Sequence, residues 1–136
     1  MQSVCIELNK QRGCLHTDRV TAQLLKWDSQ GEGLEEMGTF DLVIGADCLF
    51  FKDFHHSLVE LLRVVTRPDG KVLLLQPRRG DSMKSFVEIA SRYFVATETE
   101  NYTEDVFSMH REYLESSCGS YDPDIHQPIL LTLQHK

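Results

Sequence analysis

The chain has 136 residues, enough for one domain that buries a core of its own. A formal net charge of −7 argues against a general nucleic-acid binder, whose affinity rests on basic patches that neutralise phosphate. Hydrophobic residues at 41% and charged residues at 26% are ordinary for a soluble globular protein, and no apolar run approaches the ~20 residues needed to span a bilayer.

In chain order, residues 2–11 read as a short helix with Val4, Leu8 and Ile6 inward. The first residues carry neither the basic start nor the apolar core of a secretory signal. Val20 to Leu25 reads as a strand, and Ser29 to Gly38, with Gly31, Gly33 and several acids, as a loop. Phe40 to Ile44 is the next strand. Asp53 is placed to cap a helix in which Phe54, Leu58, Leu61, Leu62 and Val65 recur at helical spacing. Pro68-Asp69-Gly70 supplies turn chemistry to end it. Val72 to Leu75 is a continuous apolar run, as expected for a strand covered on both faces.

Asp81 or Ser82 can cap the following helix, whose inward face is Met83, Phe86, Val87, Ala90 and Tyr93. Phe94 to Thr97 reads as a strand, 103–116 as a weakly amphipathic helix, and Ile129 to Leu133 as the last strand. Helices alternating with strands imply an α/β fold with a mainly parallel sheet and right-handed crossovers. Four irregularly spaced cysteines, Cys5, Cys14, Cys48 and Cys118, form no Cys-x-x-Cys, so neither a zinc nor a redox-motif reading has support. Reduced thiols and a cytoplasmic or nuclear location are the expectation.

The stretch Phe40 to Phe51 carries the most chemistry. An apolar strand stops at Gly45-Ala46-Asp47, and Phe50 follows three places after the aspartate. In open α/β sheets ligands bind beyond the carboxyl ends of strands, where a carboxylate and a ring face can hold a cation from two sides. The plain alternative makes Asp47 a helix cap. Trp27, the one tryptophan, either closes the core or lines a site. Arg78 and Arg79 are either a solvated pair or a receptor for an acidic partner. Arg79-Gly80-Asp81 reads as the turn into a capped helix rather than an adhesion signal. His55-His56 are helix neighbours that point apart, with no third metal ligand evident.

Asp47-Cys48-Leu49-Phe50 resembles the Asp-x-x-Tyr/Phe motif after the fourth strand in family 16 of the seven-strand, S-adenosylmethionine-dependent methyltransferases. Leu24-Leu25-Lys26-Trp27-Asp28 is similar to the end of that family's third strand. Gln76-Pro77-Arg78-Arg79-Gly80, Asn101-Tyr102 and Pro128 to Leu133 resemble, in the same order, the members that methylate calmodulin. The likeness runs from about Val4 to Lys136.

That resemblance implies a Rossmann-like seven-strand methyltransferase fold lacking the first two strands, with a C-terminal antiparallel strand pair. Residues 1–136 would be the C-terminal part of the domain. The family's strand order, 3-2-1-4-5-7-6, would leave strand four with an apolar edge that proteins normally avoid, making the isolated chain marginally stable. The family's glycine-rich loop and the acidic residue that holds the ribose would lie upstream of Met1.

Carried over residue by residue, Asp47 and Phe50 would form the catalytic channel. Trp27, Asp28 and Ala46 would face the adenine of S-adenosylmethionine, and Arg78 and Arg79 would meet the substrate. The implied activity is protein-lysine N-methylation with calmodulin as partner, no nucleic acid or membrane, and a monomeric complete enzyme. The alternative is a catalytically inactive fragment that acts as a binding module.

Overall fold

Leu74 of one strand sits opposite Leu131 of another, and Val72 opposite Leu133. These four side chains, all buried on one face of a sheet, define where the core lies. The computed structural model of the protein describes residues 2–17, 19–27, 34–116 and 119–136. Its elements are α1 (Gln2–Gln11), a helical turn α2 (Leu34–Met37), β1 (Phe40–Ala46), a 3-10 turn (Lys52–Phe54), α3 (His55–Val65), β2 (Thr66–Gln76), α4 (Ser82–Ala90), β3 (Phe94–Thr99), α5 (Glu104–Glu115), α6 (Pro123–His126) and β4 (Ile129–His135).

The sheet runs β1-β2-β4-β3. β1 and β2 are parallel, and β4 is antiparallel to both β2 and β3. This is the order implied for the last four strands of the seven-strand fold, including the antiparallel C-terminal pair. Helices α3 and α4 cover one face. Leu58, Val59 and Leu62 from α3 and Met83, Phe86 and Ala90 from α4 pack with Val72, Leu74, Phe94, Ile129, Leu131 and Leu133 in one cluster. A satellite of Leu34, Leu61 and Val65 closes the open end beside Val43.

Several expectations need correction. Val20 to Leu25 is not a strand: its residues lie in no regular element, and Leu24 is fully out in solvent. A strand needs a ladder partner to satisfy its backbone, and the described residues offer this segment none. Val72 to Leu75 is covered on one face, not two; Leu75 is exposed. Pro68-Asp69-Gly70 is no turn after the helix. It lies inside β2 as an irregularity in the ladder, between the pairs Phe40 with Thr66 and Leu42 with Lys71. A Cβ on Gly70 would stand 2.9 Å from the Phe40 carbonyl oxygen, so only glycine lets the two strands meet there.

Asp53 does not cap α3. The cap position is Phe54, without a side-chain hydrogen bond, and the helix begins one residue later, at His55, directly after the 3-10 segment. Phe54 itself is exposed, and His55 takes the inward place. Within the segment read as a loop, Leu34–Met37 is helical because Leu34 anchors it against Leu61 and Val65. Residues 29–33 of that segment lie outside the described residues.

Among the described residues β1 is an edge strand, and it is apolar. Phe40, Leu42 and Ile44 point to the uncovered side of the sheet, with Ile44 75% exposed. Substitutions there and in the core therefore separate. Ile44→Thr is expected to change unfolding free energy by less than about 0.5 kcal/mol, as at an ordinary surface position. Phe86→Ala is expected to cost about 3–5 kcal/mol through lost burial and the cavity left behind. Urea denaturation of the two variants checks the contrast. A thermal melt of the chain alone is expected to be broad and early; a sharp cooperative transition would contradict the marginal stability that this bare face implies.

Candidate active site

β1 ends at Ala46, and the amide of Asp47 still donates to the Leu75 carbonyl at 3.0 Å. The chain then turns out of the sheet. Asp47 has φ +49°, a left-handed conformation that Asp tolerates better than most residues. It caps no helix, since the next element begins at Lys52.

What holds the turn is a set of buried polar side chains. The Leu49 amide donates to Gln76 Oε1 at 3.1 Å, and Gln76 Nε2 reaches Cys48 Sγ at 3.5 Å. The Leu49 carbonyl accepts from His55 Nε2–H at 2.9 Å and from the Ser82 hydroxyl. Gln76 comes from the end of β2, His55 from the start of α3, and Ser82 from the start of α4. Because Nε2 carries the proton, His55 Nδ1 is left as an acceptor. It is buried with no partner among the described residues, its ring set edge-on to Phe86 at 5.4 Å between centroids. In the sequence His55 is weighed only as a metal ligand and Gln76 only as part of the resemblance, so neither is assigned to this turn. The inward position of His55 at helical spacing from Val59 and Leu62 was the signal available.

The turn presents Asp47 and Phe50 together. Arg79 meets both. Its Nε donates to Asp47 Oδ1 at 3.1 Å and its Nη2 to Oδ2 at 2.9 Å, a two-pronged pair. Its guanidinium carbon lies 5.2 Å from the centre of the Phe50 ring. Arg79 also has φ +49°, stabilised in the turn by its own amide donating to the Asp124 carbonyl at 2.8 Å and by the Gly80 amide donating to the Asp124 carboxylate at 2.6 Å. Arg78 points elsewhere, paired with Glu98 at 3.1 Å and with Glu100. Both arginines assigned to a substrate are thus engaged with carboxylates of this chain.

Phe50 belongs to a row of rings meeting edge to face. Phe50 and Phe51 are 4.8 Å apart between centroids, Phe51 and Phe54 6.3 Å, and Phe54 and Trp27 6.4 Å. The row places Trp27 on the same aromatic surface as Phe50, only partly buried and outside the core. Asp28 lies outside the described residues.

A nucleoside methyl donor needs an apolar wall for its base and polar partners for its ribose and amino-acid ends. Gly45 and Ala46 supply part of such a wall, in an apolar depression of about 430 Å³ shared with Ile44, Leu73, Leu75 and Leu130. Trp27 is not among the lining residues, and those residues carry no partner for ribose hydroxyls, so the fit covers one side of the group only.

Comparison with known proteins gives this site a context. The family profile described as lysine methyltransferase matches residues 1–93. The chain is 29% identical over 125 residues to the calmodulin-lysine N-methyltransferase of Arabidopsis thaliana, a match covering 86% of this chain and 40% of that protein. The chain thus spans about two-fifths of the length of this curated relative. The crystal structure of the PH0226 protein from Pyrococcus horikoshii OT3 superposes with a TM-score of 0.53 at 14% identity, covering 96% of this chain and 65% of that one. It shares the fold.

Two outcomes follow from the clamp on the turn. Gln76→Leu strips the Leu49 amide of its acceptor and is expected to cost about 1–3 kcal/mol. His55→Leu is expected to cost less, because Ser82 still serves the Leu49 carbonyl and the orphaned Nδ1 disappears; urea denaturation distinguishes the two. Burial, with a smaller contribution from the neighbouring Asp47 charge, pushes the Cys48 thiol above its ordinary range. A raised thiol favours the fold below the ordinary thiol pKa, and that contribution is lost as pH rises beyond it. Iodoacetamide is therefore expected to alkylate Cys48 far more slowly than the exposed Cys5 and Cys14, read by peptide mass mapping across pH 7–10.

Proposed function

Since the chain belongs to the lysine methyltransferase family, we propose that it supplies the lysine-side half of a protein-lysine N-methyltransferase site, with calmodulin as substrate and S-adenosylmethionine as methyl donor. One observation carries the reading: in the segment matched by the family profile, Asp47 and Phe50 emerge together from the carboxyl end of β1. Identity to the Arabidopsis enzyme supports the substrate, and the apolar wall at Gly45 and Ala46 supports the donor.

Methyl transfer to an amine is an in-line displacement, so alignment carries most of the work. Orientation of this kind is worth roughly 7–11 kcal/mol in well-ordered systems. The donor, when bound, supplies an electrophilic methyl group. The acceptor lysine, with a reference pKa of about 10.4, must arrive at the reaction without its proton. Desolvation against the Phe50 and Phe51 rings favours the neutral amine. Asp47 orients the entering lysine and is not its base: a bare carboxylate beside an ammonium would strengthen its hold on the proton. The Arg79 pairing offsets that effect by neutralising the carboxylate.

A second reading is favoured by one observation, the exposed apolar face of β1. In it the chain is a binding module without transfer activity. Calorimetric titration with S-adenosylmethionine separates the readings: micromolar binding supports the enzyme, and no heat from a folded sample supports the module. With calmodulin and a labelled methyl donor, Asp47→Ala is expected to reduce transfer by about a hundredfold through loss of alignment, measured by counting label in the acceptor. Undiminished transfer would remove Asp47 from the site.

A further inference from the structure

A lysine ammonium entering this site needs a carboxylate on one side and a ring face on the other. Both places are taken. The Arg79 guanidinium makes two hydrogen bonds to the Asp47 carboxylate and lies over Phe50 at 5.2 Å, so a cation of this chain already occupies the geometry a substrate cation would adopt. We infer that Arg79 is an internal occupant of the lysine subsite, a gate residue that a charged lysine must displace and that thereby sets the site's selectivity. The inference rests on the reading of Asp47 and Phe50 as that subsite.

The backbone supports a gate rather than a fixed strut. Arg79 is held in a left-handed conformation, unusual for a long side chain, by bonds from its own amide and from Gly80 to Asp124 on α6. These bonds hold the main chain whichever way the side chain points. Among the described residues the guanidinium itself is tied only to Asp47 and Phe50, both more than half exposed. Arg78 cannot take its place, since it is engaged by Glu98 and Glu100. The closed arrangement is therefore a local equilibrium set by one exposed ion pair and one cation–ring contact, and an incoming cation competes for the same two groups. An occupied subsite lowers the apparent affinity for a ligand by the fraction of molecules that are open.

The gate also selects. A protonated lysine exchanges one cation for another at Asp47. A neutral amine can instead lie on the Phe50 and Phe51 rings while Arg79 keeps the carboxylate neutralised. The gate thus disfavours the protonated form, which cannot accept a methyl group.

The test is NMR titration of the full chain with Nα-acetyl-lysine methylamide at pH 7, where the amine is charged. Arg79→Gly removes the guanidinium and suits the left-handed backbone, and Arg79→Lys keeps a cation. Binding to Arg79→Gly is expected to be about tenfold tighter than to the parent chain, the combined size of an exposed ion pair and a cation–ring contact. Arg79→Lys is expected to stay near the parent. Asp47→Asn added to Arg79→Gly should erase the gain. Equal binding by parent and Arg79→Gly, lost on Asp47→Asn, would overturn the gate and leave the subsite standing. Binding indifferent to Asp47, or absent from every variant, would overturn the subsite and the gate with it.

Discussion

The carbonyl and amide of Leu49 are the point on which the rest of the site depends. β2, α3 and α4 each send one side chain to this peptide unit: Gln76 to the amide, His55 and Ser82 to the carbonyl. Backbone polar groups buried outside a ladder or helix must find partners, and here they find them in three elements that share the core. The packing of α3 and α4 on the sheet therefore fixes the turn in which Asp47 and Phe50 stand. The cost is visible at His55, whose second nitrogen is buried without a partner among the described residues. A site whose chemistry is mostly alignment gains from such a clamp, because the turn has no helix of its own to stiffen it.

Electrostatics acts at a second level. The chain carries a formal net charge of −7, yet its candidate site holds two arginines. Arg78 is committed to Glu98 and Glu100, and Arg79 to Asp47. These pairs are at least partly solvent-exposed, so each adds little to stability, of order 0–1 kcal/mol. Their importance lies in placement. They remove the bare charge that would otherwise meet an acidic or a basic substrate at the strand ends.

The sequence exposed some of this and hid the rest for identifiable reasons. β1, β2 and β4 were legible as short apolar runs, and α3 and α4 because apolar residues recur along them at helical spacing. Asp47 and Phe50 were legible because an apolar strand stops at small residues before them. Val20 to Leu25 misled because strand propensity describes a side-chain pattern and is silent on whether a neighbouring strand is present. Pro68-Asp69-Gly70 misled for a related reason: its turn chemistry was used inside a ladder, where Gly70 passes close to the Phe40 carbonyl. Apart from His55, six positions from Leu49, the clamp and the Arg79 pairing join residues 27 to 33 positions apart in the chain, and no local pattern announces such partners.

Among the described residues, β1 carries the site on a strand bonded along one side only, to β2. A strand in the middle of a sheet is fixed by two ladders, and its end can scarcely swing. An edge strand can twist about its single ladder, and whatever projects from its tip is carried along the arc. At the tip of β1 the tie is renewed once by the Asp47 amide on Leu75 and again by Gln76 on Leu49. The two bonds act as a bracket at the free end of a cantilever. The aspartate is thereby held to β2 as firmly as to its own strand, and the reactive corner of the molecule belongs mechanically to the second strand rather than the first.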